Sequence, residues 1–265
     1  MKQLPTLAFV EGLAKKAGEV VLSLYQKKGL EQHGKLDRND IVTEADLASE
    51  NLIRNTIKDA FPEHIIIAEE DFEAGHEISI DDRPTWIIDP LDGTVNFATQ
   101  AGLFGVVIAY AEKREVQLVA IYLPFFNELF SAQRDKGAFL NGVRVHCTKH
   151  DEFAESLGCL PAIPRREPWL GTLYDECGKQ NVWINIFGSA SVTAAFVASG
   201  KKDWLYSPDR KLWDRAPEAL LLQESGCVIS DSQGKPWTVD SIDLVAANKK
   251  LHEKVIHVIK EIRSR

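Results

Sequence analysis

The chain has 265 residues, a formal net charge of −8 and an isoelectric point near 5.4. With 45% apolar and 26% charged residues it can build a full core, which argues against a largely disordered protein. The acidic balance argues against nonspecific nucleic-acid binding, which needs a basic surface.

Two other classes are disfavoured by the residue pattern. No window approaches the roughly 18 apolar residues of a membrane span, and the first residues lack a basic start followed by an apolar core. We therefore expect a cytoplasmic protein without a membrane partner. The cysteines have no close pairing and no spacing typical of a metal site, so we expect buried free thiols; they are Cys147, Cys159, Cys177 and Cys227.

The first part of the chain predicts two helices. Apolar positions at helical spacing indicate a helix over residues 7–25. The charged residues 31–40 are interpreted as a loop. A second helix is expected from about Thr43, with Glu44 and Asp46 in its first turn, and Pro62 ends it.

Two apolar runs follow and predict buried strands at residues 64–68 and 86–88. The polar residues between them, 71–84, predict a surface loop. Whether residues 71–83 form a mobile lid over a site or an inert loop is left open.

From residue 104 the pattern indicates strands joined by short polar links, which predicts an antiparallel meander. These strands are expected at residues 104–110, 116–123 and 128–132, and residues 137–142 predict another short strand and a turn. Beyond residue 150 strands and helices alternate: strands 182–186, 204–206, 228–229 and 244–247, and helices 189–199, 216–223 and 249–262. The fold class predicted is α+β followed by α/β, with halves 1–150 and 151–265 in one compact unit.

Carboxylates stand at the ends of the two predicted buried strands. Glu69 and Glu70 end one run, and Asp89 and Asp92 follow the other. Unpaired buried anions are costly, and Mg²⁺ is a hard cation that prefers oxygen ligands and commonly shares them with phosphate. Pro90 biases Asp89 towards an extended conformation, so that both aspartates can face one point. This pattern predicts a metal-dependent phosphatase.

Each feature also has an ordinary structural explanation. An Asp-Gly pair such as Asp92-Gly93 is commonly a turn, and Asp214 before an apolar helix is commonly an N-cap. Thr43 and Asp46 have the spacing of a helix start. Alternatively, Asp214 is a third carboxylate on a metal, Asp46 orients the Thr94 hydroxyl, and the N–H groups after Asp92 hold a phosphate.

Several motifs together resemble the inositol monophosphatase family. The run DPLDGTVNF at residues 89–97 is similar to the family's first signature, and WDRAPEALLLQESG at residues 213–226 is similar to its second. Residues 40–46, 69–70 and 188–190 fall in the family's order and spacing. The resemblance covers essentially the whole chain and implies the layered α–β–α–β–α sandwich shared with fructose-1,6-bisphosphatase, usually as a homodimer.

The resemblance also implies a metal centre of two or three Mg²⁺ ions. One ion would bind Glu69, Asp89 and the Leu91 carbonyl, and a second would bind Asp89, Asp92 and Asp214. Glu70 would help to hold a weaker third ion, with Lys35 nearby. The resemblance further implies that Li⁺ inhibits by competing at the Asp89, Asp92 and Asp214 site.

The family's catalytic and substrate-binding roles transfer to matching positions. Glu69 and the Asp46–Thr94 pair would orient the attacking water, and the N–H groups of Gly93 and Thr94 would bind the phosphoryl group. The substrate site would be built from Asp92, Gly93, Thr94, Gly188, Ser189, Ala190, Ser207, Arg210, Lys211 and Asp214.

Some substrate-facing positions depart from the family pattern. Ser207 stands where inositol-preferring members have a glutamate, and Asn185 stands where they have an arginine. The pair Arg210-Lys211 either meets a second anion on the substrate or is a solvated surface pair, and Arg165-Arg166 raises the same question. Arg215 and Pro217 are unusual in the second signature, although Pro217 suits a first helical turn.

The leading hypothesis is therefore a Mg²⁺-dependent phosphatase for a small phosphorylated polyol or sugar. Alternatives are a fructose-1,6-bisphosphatase or another small-metabolite phosphatase, and a regulatory protein that keeps the fold but binds a macromolecular partner. A zinc enzyme is disfavoured because no histidine or cysteine stands beside the motif carboxylates, and oxygen ligands suit Mg²⁺ better.

Overall fold

The computed structural model describes residues 4–25, 32–34, 41–69, 71, 80–160, 169–208 and 211–264. Within these ranges the helices are α1 (Leu7–Tyr25), α2 (Glu44–Ala60), α3 (Thr94–Ala98), α4 (Trp169–Lys179), α5 (Ala190–Ala198), α6 (Leu212–Glu224) and α7 (Lys249–Arg263). The strands are β1 (Gln32–Gly34), β2 (Ile41–Thr43), β3 (Ile65–Ala68), β4 (Thr85–Asp92), β5 (Gly105–Glu112), β6 (Glu115–Leu123), β7 (Glu128–Gln133), β8 (Gly137–Leu140), β9 (Val143–Val145), β10 (Leu157–Cys159), β11 (Trp183–Asn185), β12 (Trp204–Ser207), β13 (Val228–Ser230) and β14 (Leu244–Ala247).

A seven-stranded sheet carries the first half of the fold, with strand order β3-β4-β5-β6-β7-β8-β9. Only the β3–β4 pair is parallel, and the predicted antiparallel meander follows it. Successive side chains of a strand point to opposite sides of the sheet, and both sides of this sheet are buried in a core. Trp86 and Ile88 join the core beneath α1 and α2, whereas Ile87 joins the core that contains residues of α5 and α6.

A five-stranded sheet forms the second half, with strand order β11-β10-β12-β14-β13. Leu205 of β12 points to the same core as α5 and α6, while Trp204 and Tyr206 point to a third core with α4 and α7. The layers are therefore α1/α2, the larger sheet, α5/α6, the smaller sheet and α4/α7. This is the predicted α–β–α–β–α sandwich, and the fold class is confirmed.

Two local predictions were wrong, and two elements were not predicted. Part of the predicted loop 31–40 is a strand, since β1 pairs antiparallel with β2. Helix α6 begins at Leu212, four residues before the predicted start. β10 and α4 were not predicted: β10 has three residues centred on Gly158, where an added Cβ would lie 2.4 Å from the Trp204 ring. That glycine permits a close approach and does not mark a loop.

The division of the chain near residue 150 stays a prediction. The larger sheet spans residues 65–145 and the smaller one residues 157–247, with α5 and α6 packed between them. The predicted loop 71–84, for which a lid and an inert loop were the alternatives, falls largely on residues 72–79, which lie outside the described residues. Within the described residues, every helix is too short or too polar to span a membrane.

Candidate metal centre

A bulge in β4 brings two aspartates to the same side of a strand. Asp89 pairs with Val107 and Asp92 with Gly105, so three steps along β4 match two steps along β5. In a regular strand residues three apart point to opposite faces, and one extra residue restores them to the same face. Pro90 lies inside this bulge, where its missing N–H removes no bond from the ladder.

Asp214, in the first turn of α6, completes a group of three carboxylates. One oxygen each from Asp89, Asp92 and Asp214 lies within 4.8 Å of the others. Asp89 and Asp92 are 3% and 8% exposed. Three ionised carboxylates this close repel by at least roughly 3 kcal/mol per pair at an effective dielectric constant of about 20. An all-oxygen set of this charge fits a hard divalent cation such as Mg²⁺.

The start of α5 fixes the orientation of Asp92. Asp92 Oδ2 accepts hydrogen bonds from the Ser189 hydroxyl, from the Ser191 hydroxyl at 2.5 Å and from the Ser191 N–H at 2.7 Å. Asp92 Oδ1 accepts the Ala190 N–H at 3.1 Å. Because Oδ2 is saturated by three donors, Oδ1 is the oxygen with capacity left for another ligand.

The Thr94 hydroxyl lies between two acceptors. Its Oγ1 is 3.2 Å from Asp46 Oδ1 and 3.0 Å from the Leu91 carbonyl oxygen. A hydroxyl has one proton, so Thr94 donates to one of these acceptors at a time. A cation bound to the Leu91 carbonyl oxygen would disfavour the hydrogen bond from Thr94 to that oxygen. Thr94 would then donate its hydroxyl proton to Asp46, and its oxygen lone pairs could accept a hydrogen bond from a water.

Gly93 forms the joint between β4 and α3 because of its backbone conformation. It is the N-cap of α3 with φ of 85° and ψ of 35°, in the left-handed region that favours glycine. A Cβ here would lie 2.7 Å from the Leu103 carbonyl oxygen and 3.1 Å from Ser189 Cβ. The position therefore has no room for a side chain.

We expect Gly93→Ala to lower the free energy of unfolding by about 2 kcal/mol or more. The left-handed conformation alone costs an L-residue about 1–2 kcal/mol, and the contact with Leu103 adds to it. Urea unfolding measures the change. Gly12→Ala is the matched control: it lies in α1 with nothing within 4 Å of an added Cβ, so it should stabilise by about 0.5–1 kcal/mol. Equal stabilities of the two variants would contradict the assignment.

Glu69 lies beside the group of three but is not part of it among the described residues. It directly follows β3, whose last residue, Ala68, is aligned with Ile88 in the parallel pair β3–β4. Glu69 is therefore at the same sheet edge as Asp89. The predicted contributions of Glu70, Lys35, Arg210 and Arg165-Arg166 fall on residues outside the described ranges.

The comparisons with known proteins agree with one another. The family model for the inositol monophosphatase family matches residues 2–264. The chain belongs to the inositol monophosphatase family. A fructose-1,6-bisphosphatase/inositol-1-monophosphatase of Thermotoga maritima is 32% identical over 224 residues, 84% of each chain. The Nus factor SuhB of Salmonella typhimurium is 32% identical over 254 residues, 93% of this chain and 92% of the relative.

A solved structure shows the same fold. An inositol monophosphatase of Thermotoga maritima superposes with a TM-score of 0.87 at 29% identity, covering 97% of this chain and 98% of that one. This membership confirms the family resemblance of the signatures. It does not assign a substrate, because its relatives include both enzymes and a Nus factor.

The predicted substrate-facing residues that the structure describes lie on three elements: the start of α5, the end of β12 and the start of α6. Gly188, with φ of 66°, Ser189 and Ala190 form the entry to α5. Ser207 ends β12 and is 6% exposed, with its hydroxyl lacking a hydrogen-bond partner within the described residues. Lys211 is exposed and occupies the N-cap position of α6. The Lys211 carbonyl accepts the Asp214 N–H at 3.2 Å.

Two expectations about the second signature need correction. Asp214 is not an N-cap: it is the third residue of α6, where an anion is favoured by the helix dipole. Pro217 is not in the first turn but is the sixth residue of the helix, because α6 begins earlier than predicted. The start of this helix was predicted from the apolar residues that begin at Ala216, and these residues cover only the later, buried part of α6.

Three residues that position the site were missed. Ser191 binds Asp92, and Ser49 of α2 donates to the Pro90 carbonyl at 2.8 Å. Asn96 of α3 donates to the carbonyls of Leu103 and Phe187, both at 2.8 Å, and so ties α3 to the segment before Gly188. Ser49 could have been found because it lies three residues after Asp46 on the buried face of α2; Asn96 gives no such signal.

Proposed function

We propose that this chain is a Mg²⁺-dependent phosphomonoesterase that hydrolyses a small phosphorylated polyol or sugar with water as the nucleophile. The observation that carries the proposal is the group of Asp89, Asp92 and Asp214, whose oxygens lie within 4.8 Å of one another. Membership of the inositol monophosphatase family supports the same chemistry.

Asp89, Asp92 and Asp214 fit a hard divalent cation, and the proposed cofactor is two or three Mg²⁺ ions. In the proposed arrangement Glu69, Asp89 and the Leu91 carbonyl hold one ion, and Asp89, Asp92 and Asp214 hold a second. Glu70 contributes to a third. Ions bound there supply positive charge for a phosphoryl group and make a coordinated water more acidic.

The protein's own groups position the water and the phosphate. Glu69 and Thr94 accept protons of the attacking water in hydrogen bonds, and Asp46 fixes the Thr94 hydroxyl at 3.2 Å. The N–H groups of Gly93 and Thr94 donate to phosphoryl oxygens, which is possible at close range because Gly93 has no side chain. Every named group binds or orients, so no covalent phosphoenzyme is needed.

The substrate's organic part is proposed to lie between the start of α5 and the end of β12. Gly188, Ser189 and Ala190 line one side, and Ser207 the other. Ser207 itself carries no charge, whereas Arg210-Lys211 offers positive charge for a second anion. That difference supports sugar bisphosphates as alternative substrates, in line with the name of the Thermotoga maritima relative.

A panel of small phosphates tests the proposal. Phosphate release with Mg²⁺ is measured from inositol 1-phosphate, fructose 1,6-bisphosphate, histidinol phosphate, NADP and adenosine 3′,5′-bisphosphate. We expect one compound to be strongly preferred, and a bisphosphate preference that falls in Lys211→Ala would assign the second anion to that side chain. No release from any compound, with Mg²⁺ bound, would remove the support for a small-molecule phosphatase.

Lithium inhibition is a second expected outcome. Li⁺ is a small hard cation and should compete with Mg²⁺ for the oxygens of Asp89, Asp92 and Asp214. Turnover of the preferred substrate should fall at millimolar-scale LiCl, while the same concentration of KCl leaves it unchanged. A rate indifferent to Li⁺ would contradict the assignment of these three residues.

Similarity to the Nus factor SuhB favours a second candidate function, the binding of a macromolecular partner with the fold retained. Affinity purification of the wild-type chain and of Asp214→Asn separates the two functions. A polymerase or ribosomal partner recovered equally by both would support partner binding independent of the metal centre. The homodimer and the cytoplasmic location stay predictions.

A further inference from the structure

Two cysteines that are 80 residues apart in sequence meet in the structure. Cys147 follows β9, and Cys227 lies between α6 and β13. The Cys147 N–H donates to the Ser225 carbonyl at 3.0 Å, which fixes the two backbones side by side. A Cβ built on Gly226 would lie 3.9 Å from Cys147 Sγ. All four cysteines are free thiols, as predicted, and all but the half-buried Cys147 are buried; their spacing in the sequence did not show that these two are neighbours.

The two thiol side chains also influence each other. The side chain of Cys227 lowers the pKa of the Cys147 thiol, and Cys227 Sγ accepts a hydrogen bond from the Ser225 hydroxyl at 3.8 Å. A disulfide needs the sulfurs to approach to about 2.05 Å, with Cα atoms about 4.4–6.8 Å apart. The hydrogen bond from the Cys147 N–H to Ser225 and the short distance from Cys147 Sγ to the Gly226 position bring the two cysteines side by side, as such a bond requires.

The environments of the two thiols differ in the sense that a redox pair requires. Cys147 is half-buried, and its interaction with the Cys227 side chain lowers the pKa of its thiol. Cys227 is 6% exposed, and its interaction with the Cys147 side chain, together with burial, raises its pKa. Burial raises the pKa of the Cys159 and Cys177 thiols to about 12. Cys147 is the one thiol of the four that is not fully buried, so it is the most accessible to an oxidant.

We propose that Cys147 and Cys227 are a peroxide-sensitive dithiol that closes reversibly to a disulfide. In the first step the Cys147 thiolate attacks hydrogen peroxide: a sulfur–oxygen bond forms, the oxygen–oxygen bond breaks and hydroxide leaves. In the second step the Cys227 sulfur attacks the Cys147 sulfenic acid: the disulfide forms, and the hydroxyl leaves as water with the Cys227 proton. Overall two thiols give two electrons to one peroxide, and a dithiol reductant reverses the change.

The position of the pair gives the disulfide a structural consequence. Cys147 lies in the connection between the two sheets, and Cys227 follows the C-terminal end of α6. The bond would tie that end of α6 to the connection, on the helix that carries Asp214 in its first turn. Neither cysteine is among the residues proposed to bind metal or substrate.

Alkylation followed by mass spectrometry tests the proposal on the intact protein. After treatment with hydrogen peroxide and denaturing alkylation, we expect two of the four thiols to be protected, with the peptides containing Cys147 and Cys227 linked. Loss of the Cys147 thiol should be at least about tenfold faster than loss of the Cys159 or Cys177 thiol. Dithiothreitol should restore all four. The readout is chemical, so its failure would leave the proposed phosphatase function untouched.

Single variants separate the two steps. Cys227→Ser should leave a Cys147 sulfenic acid that dimedone traps, and Cys147→Ser should form no linked peptide. Cys159→Ser is the control and should link as the wild type does. Four alkylatable thiols after peroxide, oxidation of Cys147 to sulfinic acid without linkage in the wild type, or a link that survives Cys147→Ser would each overturn the proposal.

Discussion

Asp214→Asn should reduce turnover by about 10³-fold or more, because it removes one of the three carboxylates that are within 4.8 Å of one another. The same change should have opposite effects on stability with and without Mg²⁺. In EDTA it relieves repulsion from Asp89 and Asp92, so the melting temperature should stay equal or rise. In Mg²⁺ the wild type gains about 2.7 kcal/mol at a hundred times its Kd, and the variant should gain much less.

Calorimetric melting in EDTA and in Mg²⁺, with phosphate release alongside, measures these effects. Asp89→Asn should behave in the same way, since Asp89 is proposed to bind both main ions. Asp243→Asn is a control with the burial of Asp89: Asp243 is 3% exposed, accepts the Ser232 N–H at 2.9 Å and is not one of the three clustered carboxylates. Wild-type turnover in Asp214→Asn, or an equal Mg²⁺ stabilisation of all three variants, would exclude the proposed centre.

The carboxylates could be predicted from the sequence because they terminate apolar runs that are too short for helices. Strand β4 is buried on both faces, so its residues read as an uninterrupted apolar segment ending at Asp89. The apolar pattern does not show which side of the strand each of the two aspartates faces. In a regular β4 Asp89 and Asp92 would point apart, and only the bulge at Pro90 turns them together.

Residues that act through tertiary contacts were harder to predict. Ser191 lies in a run of small residues that opens α5, and nothing local indicates that its hydroxyl binds Asp92, 99 residues away in sequence. The start of α6 was missed for a related reason. Trp213 is buried in the core between the sheets, but Asp214 and Arg215 beside it are only partly buried, which interrupts the apolar pattern.

The fold-level prediction succeeded where many residues contribute to one pattern. The alternation of core-facing residues along β12 and β14 fixes two faces for the smaller sheet, and each face requires a covering layer of helices. A site depends instead on a few side chains, each placed by one or two contacts. Asn96 illustrates this, since both carbonyls that it binds come from outside α3.

Thr94→Val should lower kcat by about 10²–10⁴-fold, the range typical of a lost proton-positioning group, while KM and Mg²⁺ binding stay close to those of the wild type. The substitution keeps the shape of the side chain and removes only the hydroxyl, which has Asp46 and the Leu91 carbonyl as acceptors at 3.2 and 3.0 Å. Thr94→Ser restores the hydroxyl and should recover most of kcat. Steady-state kinetics at saturating Mg²⁺ measures all three proteins.

A purely structural role for the Thr94 hydroxyl predicts a different result. If the hydroxyl only ties α3 to the Leu91 carbonyl, Thr94→Val should lower the free energy of unfolding by about 1 kcal/mol and leave kcat unchanged. Thr56→Val is the matched control, since the Thr56 hydroxyl donates to the Leu52 carbonyl at 2.8 Å within α2. Thr56→Val should lower the free energy of unfolding by about 1 kcal/mol and leave kcat unchanged. If Thr94→Val lowers kcat, Asp46→Asn lowers it equally and Thr56→Val does not, then Thr94 donates its hydroxyl hydrogen bond to Asp46 during turnover.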